Sequence, residues 1–378
     1  MNVTEKAIST KTVGFIVNPV AGMGGVVGLK GTDGKAILNQ AIALGAKPVA
    51  TQRAETFLSE LAPAKEHLKL IVGAGDMGEK EAKKKGFTCI VVGEAKKETT
   101  SEDTQTIAKC IVKADVDLLV FCGGDGTTRD VFKAIGVKVP VLGVPTGVKM
   151  HSALFAVSPQ AAARVAMTYL WRGLPLREAE VMDVDEAAFR QGHLSAELFG
   201  YMLSPFEPHL IQGNKMASPM TENEVENQAA IALYIIETMK PDILYIVAPG
   251  TTTRTIGDLL DQKKTLLGVD LFQNKQVILR DVCEKQILQT LDGKTAKIIV
   301  TPIGGQGFIF GRGNQQISPK VIRQVGLDNI VVIATKSKLD RLESLRVDTG
   351  DSDLDRQFRT RGIRVVTDYK TTKEMPIE

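Results

Sequence analysis

The sequence is poor in aromatic residues and has no long apolar run. Aromatic side chains make up 5% of the 378 residues, with a single tryptophan, Trp171. This is few for a protein that stacks bases or sugars on aromatic platforms. No stretch approaches the roughly 18 apolar residues of a membrane-spanning helix, and the run Val13–Val17 is too short for a signal-peptide core. We therefore expect a cytoplasmic protein with no membrane partner.

Strong charge of one sign and paired cysteines are also lacking. The chain has 47 Lys and Arg against 44 Asp and Glu, which leaves a net charge of +3. This balance excludes a strongly basic nucleic-acid binder and an acidic disordered protein, so we expect no nucleic-acid partner. The four cysteines show neither a CxxC pair nor a Cys/His spacing typical of a metal site. They are better interpreted as buried free thiols in a reducing compartment, and no metal ligand is predicted.

The first 150 residues alternate short β-branched runs with segments of helical spacing. This pattern predicts a parallel sheet covered by helices on both faces. The predicted strands are Val13–Val17, Leu68–Val72, Cys89–Val92, Asp117–Phe121 and Val139–Val144.

The pattern changes after about residue 150. Val181–Arg190 and His193–Leu203 flank a Gln191-Gly192 turn and predict an antiparallel hairpin. The expected fold is α/β with two domains: a parallel-sheet, nucleotide-binding domain over 1–157, and a mixed α+β, acceptor-substrate domain with the hairpin over 175–344. The tail, 345–378, contains a candidate strand at Ile363–Val366 that could return to the first domain.

The clearest functional motif follows the predicted strand Asp117–Phe121. Residues 123–128 read Gly-Gly-Asp-Gly-Thr-Thr and open a predicted helix. Glycine allows a close backbone approach to a ligand, and a helix start offers unpaired N–H groups to a phosphate. Asp125 would lie at the carboxyl end of a parallel strand, where α/β sheets bind ligands. A plain turn with Asp125 as N-cap is the alternative, but the sequence favours a phosphate site.

Two further loops of the first domain carry similar residues. Asn18 follows the first strand and precedes a glycine-rich segment. This segment either lines a phosphate-binding site, with Asn18 as its polar anchor, or forms a long turn. Gly147 and Lys149 follow the strand Val139–Val144, and Lys149 could neutralise a phosphate as a mobile point charge. His151, in the same loop, is more often structural than catalytic.

The second domain offers a fourth candidate loop and a weaker fifth one. The residues after Leu244–Val247 include three hydroxyls and an arginine at a predicted helix start, which suits an anion. Those predicted to bind a cofactor phosphate are Gly250, Thr251, Thr252 and Arg254. The glycines within 304–307 and 311–313 are as consistent with turns as with ligand contacts. The charge run Lys80–Lys85 is interpreted as a solvated helix face.

Several phosphate-compatible strand ends with one carboxylate among them indicate phosphoryl transfer. This chemistry depends on positioning and charge stabilisation more than on a covalent nucleophile. Asp125 would accept the proton of an attacking hydroxyl or help to hold Mg²⁺.

At residues 123–128 the sequence resembles the superfamily of NAD kinases, diacylglycerol and sphingosine kinases and, more distantly, phosphofructokinases. The blocks IVNPVAGMGG, FCGGDGTTRDV, GVPTGVKMHSALFA, APGTTTR and IGGQGFIFGRGNQQIS look specifically like the ATP-NAD kinase-like (AcoX) family. The resemblance implies ATP-dependent phosphorylation of a hydroxyl, with ATP and Mg²⁺ as cofactors and a first domain of NAD kinase/phosphofructokinase type. The acceptor would be NAD or another small-molecule hydroxyl. We also expect a homo-oligomer.

The resemblance also implies residue roles. In NAD kinases the acid of this motif, here Asp125, is the proposed base that deprotonates the ribose 2′-hydroxyl. Val148, Met150 and His151 stand where lipid kinases carry a different motif, which counts against a lipid acceptor. The positions implied or predicted to contact cofactor phosphates in the first domain are Asn18, Gly123, Gly124, Gly126, Thr127, Thr128, Gly147 and Lys149.

Three functional hypotheses follow. The first is a kinase that makes NADP from NAD and ATP. The second is a kinase of the same fold that acts on a lipid or on another small-metabolite hydroxyl. The third is a regulatory protein that binds a nucleotide without turnover, which is disfavoured because Asp125 is intact.

Overall fold

The computed structural model describes residues 9–29, 35–146, 150–184, 196–208, 210–211, 222–303 and 306–378. Its strands are β1 Lys11–Val17, β2 Leu68–Gly73, β3 Cys89–Val92, β4 Leu118–Gly123, β5 Val141–Pro145, β6 Leu176–Val184, β7 Ala196–Pro205, β8 Leu244–Val247, β9 Asp270–Gln273, β10 Gln276–Leu279, β11 Ala296–Val300, β12 Phe308–Phe310, β13 Ile330–Ile333, β14 Arg346–Val347, β15 Ile363–Asp368 and β16 Thr371–Met375. Its α-helices are α1 Lys35–Ala43, α2 Val49–Leu61, α3 Glu79–Lys84, α4 Ser101–Lys113, α5 Asp125–Ile135, α6 Pro159–Arg172, α7 Glu222–Thr238, α8 Thr251–Leu259, α9 Glu284–Leu291, α10 Pro319–Val325, α11 Lys336–Leu339 and α12 Ser352–Arg361.

The described residues form two compact units, each built on its own sheet. The first unit contains those within 9–23, 47–184 and 196–211, and the second those within 24–46 and 222–378. The predicted α/β class, with a parallel sheet first and a mixed sheet second, is confirmed.

The first unit holds a five-stranded sheet in the order β3-β2-β1-β4-β5, and every neighbouring pair is parallel. Its strands are apolar on both faces because helices cover both. On one face Phe15 of β1 stacks on Phe57 of α2, with ring centroids 5.6 Å apart, and α6 extends the same core. On the other face Phe121 of β4 packs with α4 and α5.

The strand order of this sheet creates a switch point. The chain runs outward from β1 to β3, and then places β4 on the other side of β1. The loops that leave β1 and β4 therefore diverge at the carboxyl ends of these two strands. Such a position is where open α/β sheets form a ligand crevice.

The second unit holds a seven-stranded sheet in the order β10-β9-β8-β11-β13-β15-β16. The central strands β8, β11, β13 and β15 are parallel, whereas β9 and β16 run antiparallel to the neighbours that they flank. Helices α9, α10 and α12 pack on one face, and α7 and α8 on the other. The strand order reverses between β8 and β11, which gives this sheet a switch point of its own.

The unit boundaries differ from the predicted domain boundaries at the hairpin. Strands β6 and β7 pair antiparallel, as predicted, but they belong to the first unit rather than to a domain that starts at 175. The reason is burial, because Ala179, Val181 and Met202 complete the core beside α4 and α5. Gly200 lies so close to α5 that a Cβ there would stand 2.4 Å from Cζ of Phe132. The predicted turn at 191–192 lies outside the described residues.

The boundaries differ again at the carboxyl-terminal tail. The predicted strand at Ile363–Val366 occurs as part of β15, which pairs with β13 of the second sheet. Val365 and Val366 are buried on opposite faces of that sheet. The tail therefore lies in the second unit and not in the first.

Candidate functional site

Asn18 and Thr127 meet at the switch point of the first sheet. Asn18 follows β1, and its backbone N–H donates to the carbonyl of Cys122 in β4, at 3.0 Å. Its Nδ2 donates to Thr127 Oγ1 on the first turn of α5, at 2.9 Å. The Asn18 side chain therefore ties the loop after β1 to the helix start after β4, and its role as polar anchor of a phosphate site stays a prediction.

Asp125 is buried and held by backbone N–H groups. It is the first residue of α5, and the N-cap of that helix is Gly124, which offers no capping side chain. One Asp125 oxygen accepts from the N–H of His151 at 2.7 Å, and the other from the N–H of Ser152 at 2.9 Å. The carboxylate thus orients the loop after β5 instead of capping α5, and its direction is fixed before any ligand arrives.

The two glycines before Asp125 have different constraints. A Cβ on Gly123 would lie 2.4 Å from Cβ of Thr127, whereas a Cβ on Gly124 would meet nothing within 4 Å. Gly123 is therefore required by the packing of Thr127, and Gly124 leaves open space over the N-terminus of α5. Open space beside unpaired helix N–H groups is what an incoming phosphate needs.

The loop after β5 completes the candidate site of the first unit. The N–H of Thr146 donates to the carbonyl of Gly123, at 3.2 Å. Gly22, with φ of +80°, approaches so closely that a Cβ would lie 2.0 Å from the Thr146 carbonyl oxygen. Among the residues that the structure describes, the buried Thr146 Oγ1 has no hydrogen-bond partner, and Thr146 is not one of the predicted site residues. Two predicted residues of this loop, Gly147 and Lys149, lie outside the described residues.

The remaining predicted residues of the first unit lie on the same helix start. Gly126 is the second residue of α5 and is partly exposed. Thr128 is fully buried, and its Oγ1 donates to the carbonyl of Gly124 at 3.1 Å. Thr128 therefore stabilises the first turn of the helix, and its hydroxyl is already engaged there.

The second predicted group lies in the second unit, at the end of β8. Gly250 is the N-cap of α8, with φ of +137° and no capping side chain. Thr252 is fully buried, and its Oγ1 has no hydrogen-bond partner within the part of the chain that the structure describes. Thr251 is exposed at the helix start. Arg254 is half-exposed, with Nε 3.8 Å from an Asp258 carboxylate oxygen, so its side chain already has an anionic neighbour.

The weaker glycine block has a structural explanation in its described part. Gly311 has φ of +84°, and a Cβ there would lie 1.8 Å from the Asp348 carbonyl oxygen. Arg312, nearly buried, places Nε 3.4 Å from an Asp348 carboxylate oxygen and lies over the Phe308 ring. These contacts hold the loop after β12 against the loop after β14. Gly304 and Gly305 lie outside the described residues.

Two other sequence interpretations can be compared with the structure. In the charge run, Lys80 pairs with Asp76 and Lys83 with Glu79, each at 2.6 Å and all four partly exposed, so these side chains form a solvated face. Glu81 departs from this interpretation, because it is buried and its burial raises its pKa. The four cysteines are free, as interpreted, but only Cys122 is buried and the other three are partly exposed. Burial raises the pKa of Cys122 well above its ordinary value.

In the part of the chain that the structure describes, no group of three or more His, Cys, Asp or Glu side chains is arranged to hold a metal ion. Within the same residues, no helix combines the length and the apolar character that crossing a bilayer requires.

Comparisons with individual known proteins give no informative match. No curated protein matches the chain. Among solved structures, a glycosyltransferase from Rickettsia africae ESF-5 aligns at 13% identity over 87% of this chain and 79% of that chain, with a TM-score of 0.24. A score this low carries no argument about fold or function.

The family comparison covers both units. Residues 13–173 match the ATP-NAD kinase N-terminal domain, and residues 242–375 match the ATP-NAD kinase C-terminal domain. The first match contains Asp125 and the switch point of the first sheet, and the second contains the loop after β8. Because the two matches together span more than three quarters of its length, the chain belongs to the ATP-NAD kinase family and is a kinase.

Proposed function

We propose that this kinase transfers the γ-phosphoryl group of ATP to the ribose 2′-hydroxyl of NAD and so forms NADP. The observation that carries the proposal is the placement of Asp125. Its buried carboxylate lies at the carboxyl edge of a parallel sheet, beside the start of α5, and is fixed by two backbone N–H groups. A carboxylate held in one orientation beside a phosphate-compatible helix start suits the deprotonation of a hydroxyl that attacks a phosphoryl group.

The phosphates of ATP would lie on the N-terminus of α5. The N–H groups of Gly126 and Thr127 are in the first helical turn, where they have no partner within the helix. The positive end of the helix dipole adds to their attraction for a phosphate. Gly124 leaves room for the approach, and the Asn18–Thr127 hydrogen bond keeps the wall of the crevice in place.

Mg²⁺ would reach this site on the phosphates of ATP. It keeps several waters and usually takes only one or two protein carboxylates at such sites. Asp125 is a buried carboxylate at the first residue of α5, beside the helix start that would hold the phosphates, so it fits a role in holding the ion or its waters. Mg²⁺ would supply neutralisation of the charge on the transferred phosphoryl group.

The cellular compartment is part of the proposal. The four cysteines are free thiols, which suits the reducing cytoplasm in which disulfides are rare. The cytoplasm also supplies both ATP and NAD to a kinase of this family.

The deciding experiment measures ADP release from Mg·ATP with NAD present, while NADP is detected separately with an NADP-specific dehydrogenase. Asp125→Asn should lower turnover by at least about a hundredfold, the usual size of a general-base effect, while ATP binding is retained. Asp117→Asn is the matched control, because Asp117 precedes the opposite end of β4 and accepts the N–H of Thr12. It should leave turnover within about twofold.

Three outcomes would contradict parts of this proposal. ADP release without NADP would exclude NAD as acceptor and favour another hydroxyl. Near-wild-type turnover by Asp125→Asn would end the assignment of Asp125. Bound ATP with no turnover on any acceptor would favour a regulatory nucleotide-binding protein.

A further inference from the structure

A fully buried ion pair lies in the second unit, between α8 and β9. Lys264 follows α8, Asp270 is the first residue of β9, and neither side chain has exposed surface. Lys264 Nζ lies 3.8 Å from an Asp270 carboxylate oxygen. Lys336 of the same unit, which pairs with Asp368, instead keeps most of its side chain in solvent. Removing two charges from water is costly, so a buried pair is weak evidence for stabilisation of the fold.

The charge of Lys264 does not stabilise this fold. Burial lowers the pKa of Lys264 from 10.5 to about 8, although the Asp270 and Asp281 carboxylates both favour its charged form. Because the pKa in the folded state lies below that in the unfolded chain, the charged lysine costs stability at neutral pH. The attraction between the two charges therefore does not offset the desolvation of the lysine.

Hydrogen bonds of the pair close the segment between α8 and β9. The Asp270 carboxylate accepts the N–H of Thr265 at 2.6 Å and the Thr265 hydroxyl at 2.8 Å. Lys264 Nζ donates to the carbonyls of Thr265 and Gly268, at 2.9 and 3.4 Å. The two charged side chains thus fix the segment 264–270 from both of its ends.

The closed segment holds the start of α8. The N–H of Gly250, the N-cap of α8, donates to the carbonyl of Leu266 at 2.9 Å. Gly257 lies in the last turn of α8, and a Cβ there would stand 2.7 Å from Cβ of Lys264. The segment therefore contacts α8 at its N-cap and again in its last turn. Since no side chain caps α8, the position of Gly250 depends on a carbonyl that the ion pair keeps in place.

The same carboxylate also holds residues that support the glycine-rich segment after β1. The N–H of Asp281 donates to Asp270 at 2.7 Å. Three residues further on, the N–H of Glu284 donates to the carbonyl of Val26 at 3.2 Å. Val26 lies in that glycine-rich segment and belongs to the second unit. Within this unit, Asp270 therefore connects two loops whose sequences are compatible with phosphate contacts.

We propose that Lys264 and Asp270 are positioning residues of the kinase, which hold the loop after β8 and the glycine-rich segment after β1 in the geometry that binds Mg·ATP. This role rests on the proposed function, because the two loops serve the reaction only if they contact ATP. Both side chains are fully buried, so they act through the backbone groups that they fix and do not touch a substrate. A role in fixing one conformation accounts for a pair whose charge costs stability.

The test combines titration calorimetry of Mg·ATP without an acceptor with steady-state ADP release in the presence of NAD. Lys264→Met removes the charge and its two hydrogen bonds. It should weaken Mg·ATP binding and raise the KM for ATP by at least about fivefold, the size of one lost hydrogen bond. The kcat should stay within about twofold, because Asp125 lies in the first unit. Lys263→Met is the matched control: Lys263 is adjacent but exposed, so affinity and KM should be unchanged.

The outcomes distinguish this role from the proposed function. If Lys264→Met binds Mg·ATP as the wild type does, or lowers kcat with an unchanged KM, the pair has no positioning role. If Lys264→Met fails to fold, Thr265→Val decides, because it removes only a hydroxyl that donates to Asp270 and should weaken Mg·ATP binding at least about twofold. Weaker Mg·ATP binding by Lys264→Met, together with a wild type that forms no NADP, would reject NAD as acceptor and keep the positioning role.

Discussion

The two sheets of this protein build similar strand ends and equip them with opposite charges. In the first unit the switch point lies between β1 and β4, and in the second between β8 and β11. In each, the N-cap of the helix after the strand is a glycine, so no side chain caps the first N–H groups. In each, a side chain from one strand end also contacts the segment after the other strand. The first adds the carboxylate of Asp125, whereas the second adds the ammonium of Lys338.

This difference separates what the strand arrangement supplies from what the side chains supply. The parallel arrangement supplies free N–H groups at a crevice in both units, which makes each compatible with a phosphate. Only the carboxylate can take a proton from an attacking hydroxyl. The cation can hold an anion but offers no such step. The first unit is therefore the candidate for chemistry.

The largest expected effect tests Gly250, the N-cap of α8 in the second unit. Gly250→Ala should lower the free energy of unfolding by about 2–4 kcal/mol, because its φ of +137° is strained for alanine and the new Cβ would lie 2.5 Å from Thr301. Gly293→Ala is the control, since Gly293 has positive φ but no neighbour within 4 Å, and it should cost about 1 kcal/mol. Urea denaturation measures both. Equal losses would show that the Gly250–Thr301 contact contributes nothing.

The next effect tests the glycines of the first site. Gly123→Ala should lower the free energy of unfolding by about 1–3 kcal/mol, because Thr127 must move to admit the new Cβ. Gly124→Ala should change stability by less than about 1 kcal/mol, since nothing lies within 4 Å of that position. Loss of ATP binding in Gly124→Ala with unchanged stability would sharpen the assignment of this open space to the phosphates. Similar denaturation midpoints for the two variants would contradict the difference in packing.

The smallest effect concerns the charge of Lys338, whose Nζ donates to the Thr301 hydroxyl after β11. Burial lowers the pKa of Lys338 from 10.5 to about 8, so the unfolded chain holds this proton more tightly than the folded one. The charged lysine therefore destabilises the fold below about pH 8, and this penalty fades as the pH rises towards 10.5. Lys338→Met should raise the free energy of unfolding at neutral pH by about 1–2 kcal/mol.

The same variant has a pH signature. The rise in stability from pH 8 to 10.5 should become smaller in Lys338→Met, but it should not vanish, because the pKa of Lys264 is also lowered to about 8 by burial. Lys336→Met should change stability by less than about 0.5 kcal/mol, as expected for an exposed ion pair. Urea denaturation across this pH range checks both variants. A destabilised Lys338→Met at neutral pH would assign Lys338 a structural role instead.

Much of the first site could be predicted from the sequence. An apolar strand followed by glycines, an acid and threonines is a pattern within one short segment. The affinity of the helix start for phosphate follows from backbone chemistry, because glycine permits a close approach and the first N–H groups are unpaired. Lys338 was missed because a lysine after a strand is usually solvated. Its burial depends on Thr301 and Glu224, which are distant in sequence. A β-branched strand followed by Thr335 and two lysines was the available signal.

The sequence by itself determined the α/β class, the positions of the strand ends and the residue types placed there. These features depend on hydrophobic periodicity and on the conformational freedom of glycine, which are properties of short segments. Only the tertiary structure decided that Asp125 accepts the N–H groups of His151 and Ser152, that the hairpin packs in the first unit, and that β15 joins the second sheet. Those choices depend on burial and hydrogen bonding between segments far apart in the chain, and no local pattern contains them.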